Sequence, residues 1–220
     1  MTEAVALIPI LNEPGVFDRL TVPLDGRCGL ARTIEAMHRE LPQVTILVTT
    51  DSPELREYVA SKFPFVRLHA RTQRDYVTSL VAALDTLPSD PEVVLVVECT
   101  HPFRPSGLFG KLLGGLAGHR EMDSVVCVRQ LKGMLWHTEA DGTIFPAQEL
   151  DDPSPNIFFQ ELVGLGLATR PRLLRIGRRL GDNVGFEVVD DIWSLCDLRD
   201  DRGVRRARTV AALISSLEVS

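Results

Sequence analysis

The chain has 220 residues, 45% of them hydrophobic and 25% charged, with a formal net charge of −6, which suits one well-buried core and argues against a broad basic face for nucleic acid. No apolar run reaches the roughly 18 residues of a membrane span, and the N-terminus lacks a signal-type segment. Cys28, Cys99, Cys127 and Cys196 form no CxxC pair, so a single reduced, cytoplasmic domain over residues 1–220 is expected, without a thiolate metal site.

Residues 5–10 are a short apolar run of the kind made by strands buried on both faces. Leu30, Ile34, Met37 and Leu41 then recur at helical spacing, and the β-branched stretch 44–50 reads as a second strand. Asp51 or Ser52 can cap the next helix, with Pro53 in its first turn. A short strand at 66–68, a helix at 75–87 and the strongest strand of the chain, 93–97, follow. Leu108, Leu112 and Leu116 mark a further helix and 124–129 a further strand. This alternation predicts an α/β fold, a Rossmann-like three-layer α/β/α arrangement around a mainly parallel sheet. Beyond Gln130 the pattern changes. Residues 135–145, centred on Asp141-Gly142, read as a β-hairpin. Strand character resumes at 158–169, a short helix and basic loop occupy 170–179, and 184–189 form a last strand. From Asp190 the chain reads as helical, with Arg202, Arg205, Arg206 and Arg208 on a solvated face.

Ligands of such sheets collect beyond the carboxyl ends of the strands. Four segments qualify. Residues 11–26 form a long loop with Asn12, Glu13, Gly15, Arg19 and Gly26, whose glycines let backbone N–H groups approach a phosphate. It is neither a GxGxxG nor a Walker loop, so a plain connection competes with this reading. Glu98, Thr100, His101 and Arg104 follow the strongest strand and combine a carboxylate, hydroxyl, imidazole and guanidinium within seven residues. Gln160 and Glu161 enter the strand after the hairpin. Glu187, Asp190 and Asp191 flank the last strand, where clustered oxygens suit Mg²⁺ and an aspartate equally suits a helix N-cap.

Read in order, residues 6–37 include Gly26 and the string Thr33-Ile34-Glu35-Ala36, followed by Thr49-Thr50-Asp51, the stretch 98–104, Asp123-Ser124-Val125-Val126, and the stretches 164–169 and 187–191. This succession resembles the acidic-sugar cytidylyltransferases, the family that makes CMP-sialic acid and CMP-Kdo, with its "TIEA", "STD", "QPTSPLR", "DSVV", "NGAIYI" and "IDIDT" motifs. The resemblance implies a nucleotidyltransferase that moves CMP from CTP to an acidic sugar or related acceptor and releases pyrophosphate. It further implies Mg²⁺ and a homodimer built through an arm at about 131–158. Carried over, Arg19 meets the phosphates together with Asn12, Glu13, Gly15 and Gly26. Glu98, Arg19 and Arg104 serve the chemistry, Thr100, His101, Arg104 and Gln160 face the acceptor, and Glu187 and Asp190 hold the metal.

The chain departs from this pattern at the charged positions. The arginine and lysine of the family's "ARxxSKGxPxKN" loop are Ile10 and Pro14, its serine is Glu13, and Arg19 alone remains cationic. Arg27 is a candidate replacement. The second aspartate of the metal motif is Val189, and the arginine and asparagine before "GAIYI" are Gln160 and Leu162. Transfer at phosphorus depends on positioning and charge stabilisation, so these changes imply either a site rebuilt for another substrate or a non-catalytic ligand-binding or interaction module. A glycosyltransferase reading lacks the DxD motif it needs.

Overall fold

A computed structural model, describing residues 3–147 and 157–218, arranges the chain as helices on both faces of a mainly parallel sheet. The first half alternates β1 (Ala4–Ile10), α1 (Val16–Thr21), α2 (Gly29–Glu40), β2 (Thr45–Thr50), α3 (Pro53–Lys62), β3 (Arg67–Ala70), α4 (Tyr76–Leu84), β4 (Val93–Val96) and α5 (Leu108–Ala117). Then come β5 (Ser124–Lys132), β6 (Trp136–Thr138), β7 (Ile144–Pro146), β8 (Ile157–Glu161), β9 (Leu167–Thr169), α6 (Pro171–Arg175), β10 (Val184–Val188), a 3₁₀ turn (Ile192–Leu195) and α7 (Asp201–Glu218). The strand order is β10-β5-β9-β4-β1-β2-β3. β9 runs antiparallel between β4 and β5, and the other neighbours along this path are parallel.

The apolar runs make both cores. Alternate residues of β1 face opposite ways: Ala6 and Ile8 join α2, α3, α5 and α7, while Val5 and Leu7 join α4 and α6. Local chemistry sets the helix starts. Ser52 Oγ accepts from Leu55 N at 3.2 Å, so Ser52 caps α3 and leaves Asp51 free to accept from Asn12 N at 2.6 Å. Asp75 caps α4 through Thr78 N, and the Glu40 carboxylate reaches across to Gly107 N and Phe109 N at the start of α5.

Three expectations need correction. The loop 11–26 contains a helix, α1, which Gly15 initiates from a left-handed conformation (φ 73°). The strand expected over 158–169 is broken into β8 and β9, both lying along β5 and separated by a turn at 162–166 with Gly164 at φ 90°. The segment after Asp190 is not one helix: Asp191 caps the short 3₁₀ turn, an irregular stretch crosses the end of β4, and α7 begins only at Asp201. The β6–β7 hairpin forms as expected around 139–143, whereas residues 148–156 of the expected arm lie outside the described residues. The α7 arginines are all exposed. No described helix is long and apolar enough to cross a membrane.

The return into α7 has no room to spare. A Cβ at Gly203 would stand 1.7 Å from the Asp197 carbonyl oxygen. Gly203→Ala should therefore cost about 1–3 kcal/mol, the usual range for overpacking. Equilibrium urea denaturation measures this, and an unchanged midpoint would show that the 196–200 crossing is not fixed as described.

Candidate functional site

A cavity of about 330 Å³ opens at the carboxyl ends of β1 and β4. Its walls come from separated parts of the chain: Ile10, Glu13 and Arg19 after β1, Arg71, Arg74 and Tyr76 after β3, Glu98 and Thr100 after β4, and Arg199 before α7. Four guanidiniums thus face two carboxylates. Arg19 lies against the bare Cα of Gly15 and donates from Nη1 to the Pro14 carbonyl at 2.9 Å, so it stays folded over the loop. Arg71 is buried and donates to the carbonyls of Gln73 and Arg74, which fixes the turn after β3. Arg74 is exposed, and no bond of its guanidinium to another described group was found. Thr100 Oγ1 is buried without a hydrogen-bond partner.

Glu98 is held by an ion pair. Its Oε2 lies 2.6 Å from Arg199 Nη2, and Arg199 Nη1 lies 2.5 Å from Asp197 Oδ2. Gly164 makes space for this pair: a Cβ there would stand 2.8 Å from the Glu98 carboxyl and 2.9 Å from Arg199 Nη2. Tyr76 sits deep beside the pair, and burial raises its phenol well above the ordinary value, so it remains neutral.

Arg104 occupies a different place from the one expected of a reacting group. It is largely buried on the far side of the 98–104 loop and bridges three segments. Nε donates to Leu165 O at 2.8 Å, Nη1 to Thr33 Oγ1 at 2.9 Å and to His101 O, and Nη2 to Glu98 O and to Gly164 O at 3.1 Å. Burial lowers its pKa to about 10, which still leaves it charged at neutral pH. All its donors are committed, so Arg104 positions the loop rather than a ligand. His101 is also buried, between the carbonyls of Ser194 (Nδ1, 3.2 Å) and Val163 (Nε2, 3.1 Å). A neutral ring can donate to only one of them. Burial first, then the charge of Arg104, hold its pKa below 6.5.

Of the other residues singled out in the sequence, Asn12 turns into a neighbouring groove beside Ser52, which Glu13 and Gly15 share. Gly26 (φ 76°) makes a tight turn outside the cavity. Arg27 pairs with Glu35 at 3.4 Å and lines a second hollow with Arg104. Gln160 accepts from Arg129 on the open part of β8. Glu187 pairs with Lys111 of α5 at 3.1 Å, and Asp190 is exposed. Neither reaches the cavity. The residues carried over as Mg²⁺ ligands do not come together: Glu187 is paired with Lys111, Asp190 is exposed, and Glu98, a carboxylate of the cavity wall, is paired with Arg199. Arg71, Arg74 and Arg199 were missed. The basic run 71–74 follows β3 directly and could have been found by the same strand-end rule, whereas Arg199 carries no local signal.

Comparison with known proteins gives this geometry a family. The MobA-like NTP transferase domain matches residues 14–181, and the chain belongs to that family. It is therefore a nucleotidyltransferase by class. A comparison with curated proteins returns no match. Among solved structures, 4-diphosphocytidyl-2C-methyl-D-erythritol synthase from Anaerococcus prevotii is similar at a TM-score of 0.70 and 15% identity, covering 96% of this chain and 99% of that one. CMP:2-keto-3-deoxy-manno-octonic acid synthetase complexed with CTP is similar at 0.71 and 10% identity, again over 96% and 99%. The fold is thus that of the cytidylyltransferases.

Two outcomes test the positioning network. Arg104→Gln leaves several buried carbonyls unpaired and should cost about 3 kcal/mol or more by thermal or urea denaturation. A loss below about 1 kcal/mol would remove Arg104 from the centre of the site. His101 has a folded pKa below its unfolded 6.5, so the unfolded chain binds more protons and stability falls as pH drops below 6.5 towards the folded value. Stability measured from pH 7.5 to 5 should fall less steeply in His101→Asn than in the parent.

Proposed function

We propose that the cavity takes a nucleoside triphosphate, CTP by resemblance, and passes its nucleoside monophosphate to the hydroxyl of an acidic sugar or related anionic acceptor, releasing pyrophosphate. The convergence of four arginines from three segments on the cavity at the ends of β1 and β4 carries this reading. Arg71 and Arg199 are satisfied by protein oxygens, so Arg19 and Arg74 are the cations available to phosphates. Arg19 is the cation retained in the first loop, and Arg74 adds one beside it, against the two charges absent at Ile10 and Pro14. The acceptor oxygen attacks the α-phosphorus as the bond to the β-phosphate breaks, and the arginines stabilise the charge on the leaving pyrophosphate. Thr100 lines the cavity, with its Oγ1 buried and unpaired behind the surface. No step is assigned to Mg²⁺.

The reading extends to a homodimer. Phe159 and Phe186 meet on an exposed part of the sheet with ring centroids 5.1 Å apart, and Trp136, Ile144 and Phe145 are exposed on the β6–β7 hairpin. Such apolar surface supports a self-association face.

Calorimetric titration with ATP, CTP, GTP and UTP, each with and without Mg²⁺, tests the site and selects the base. Arg74→Ala should weaken binding at least tenfold without changing the melting temperature. Absence of binding by the parent at millimolar nucleotide would leave the ligand-binding or interaction module as the reading. Sedimentation velocity should show a dimer in the parent and a monomer in the Phe159→Glu, Phe186→Glu double variant.

A further inference from the structure

Resting on the nucleotide reading, we infer that Arg199 is a positioning residue that acts as an internal counter-cation, neutralising Glu98 so that nucleotide phosphates enter the cavity without a divalent metal at that carboxylate. The starting observation is the mismatch between a site for anions and a carboxylate in its wall. Glu98 is 17% exposed and lines the cavity, so in the absence of a partner its charge would oppose a polyphosphate. The expected metal ligands Glu187 and Asp190 are elsewhere, and Glu187 is paired with Lys111.

The pair that replaces a metal is built rather than casual. Arg199 Nη2 bonds both Glu98 Oε2 and, at 3.2 Å, Val163 O, while Asp197 holds Nη1 and also accepts from the Arg199 backbone N at 3.0 Å. Gly164, in a left-handed conformation that favours glycine, leaves the space that carboxyl and guanidinium fill. Leu198 N donates to Thr100 O at 2.8 Å, which fixes the crossing segment over the end of β4. A guanidinium so placed offsets the Glu98 charge at the cavity wall with a fixed geometry and no coordination requirement, while Asp197, which shares it, lies outside the cavity lining.

Metal dependence of nucleotide binding separates this role from a merely structural one. In calorimetry with the base that binds best, the parent should bind equally well, within about threefold, in EDTA and in Mg²⁺. Arg199→Ala should lose at least tenfold in EDTA and recover in Mg²⁺, because the bared carboxylate then requires a cation. The double variant Glu98→Gln, Arg199→Ala should regain in EDTA at least tenfold over Arg199→Ala and lose its dependence on Mg²⁺, and Arg199→Lys should bind in EDTA better than Arg199→Ala. Circular dichroism shows whether each variant is folded, and if Arg199→Ala does not fold, the parent and the double variant decide. Binding by the parent only with Mg²⁺ would overturn the inference and leave the nucleotide reading standing. Binding lost equally in Arg199→Ala and the double variant, whatever the metal, would also overturn it. Absence of binding by the parent in either buffer would instead overturn the nucleotide reading on which the inference rests.

Discussion

One largely buried guanidinium organises the carboxyl end of the sheet. Arg104 joins the loop after β4, the turn between β8 and β9, and helix α2 by donating to oxygens of all three. A charge taken largely out of water is tolerated only when its donors are satisfied, so the three segments cannot drift apart independently. The break between β8 and β9 follows from this. Carbonyls that would otherwise continue a ladder along β5 turn instead towards Arg104, His101, Arg199 and the Glu98 amide. Gly164 permits the turn and leaves room for the Glu98–Arg199 pair, so the positioning network and the cavity wall share one backbone kink.

The electrostatics of the cavity divide along the same lines. Four guanidiniums in a confined space would repel one another if all were free. Two are quenched internally: Arg71 by backbone carbonyls, Arg199 by Glu98 and Asp197. Arg19 is restrained through a single carbonyl, and Arg74 is solvated, so neither requires a ligand for the fold to stand. The buried thiols contribute no competing chemistry. Burial raises Cys99 and Cys127 to about 12, which leaves them protonated core residues.

Local sequence conveyed what local physics decides. β1, β2 and β4 are apolar because both faces are covered, and the choice between Asp51 and Ser52 as cap of α3 falls to Ser52, whose hydroxyl meets Leu55 N. The turn at 162–166 was hidden because the chain there is as apolar as a strand, and only the distant Arg104 draws it out of register. Helix α1 was hidden for the opposite reason: six residues behind a Pro-Gly pair are too few to show periodicity. Glu98 and Thr100 were readable from their position after the strongest strand. Arg199 meets Glu98 across 101 residues, and its place depends on where a mostly irregular segment crosses the sheet.

The substituted motif positions bear on whether the site has eroded or been rebuilt. Positions that merely lost a polar role would be left exposed, or would leave their former partners buried and unsatisfied. Leu162 and Val189 are instead core residues, 9% and 5% exposed, packed with the helices that cover the sheet. Ile10 is likewise buried and forms part of the cavity wall, and Pro14 supplies the carbonyl that restrains Arg19. The cavity wall draws arginines from the turn after β3 and from the segment before α7 as well as from the first loop, and of these additional ones the Arg74 guanidinium alone is not bonded to another described group. Apolar packing at the positions that differ from the cytidylyltransferase motifs and arginines at the cavity opening thus occur together in one folded site.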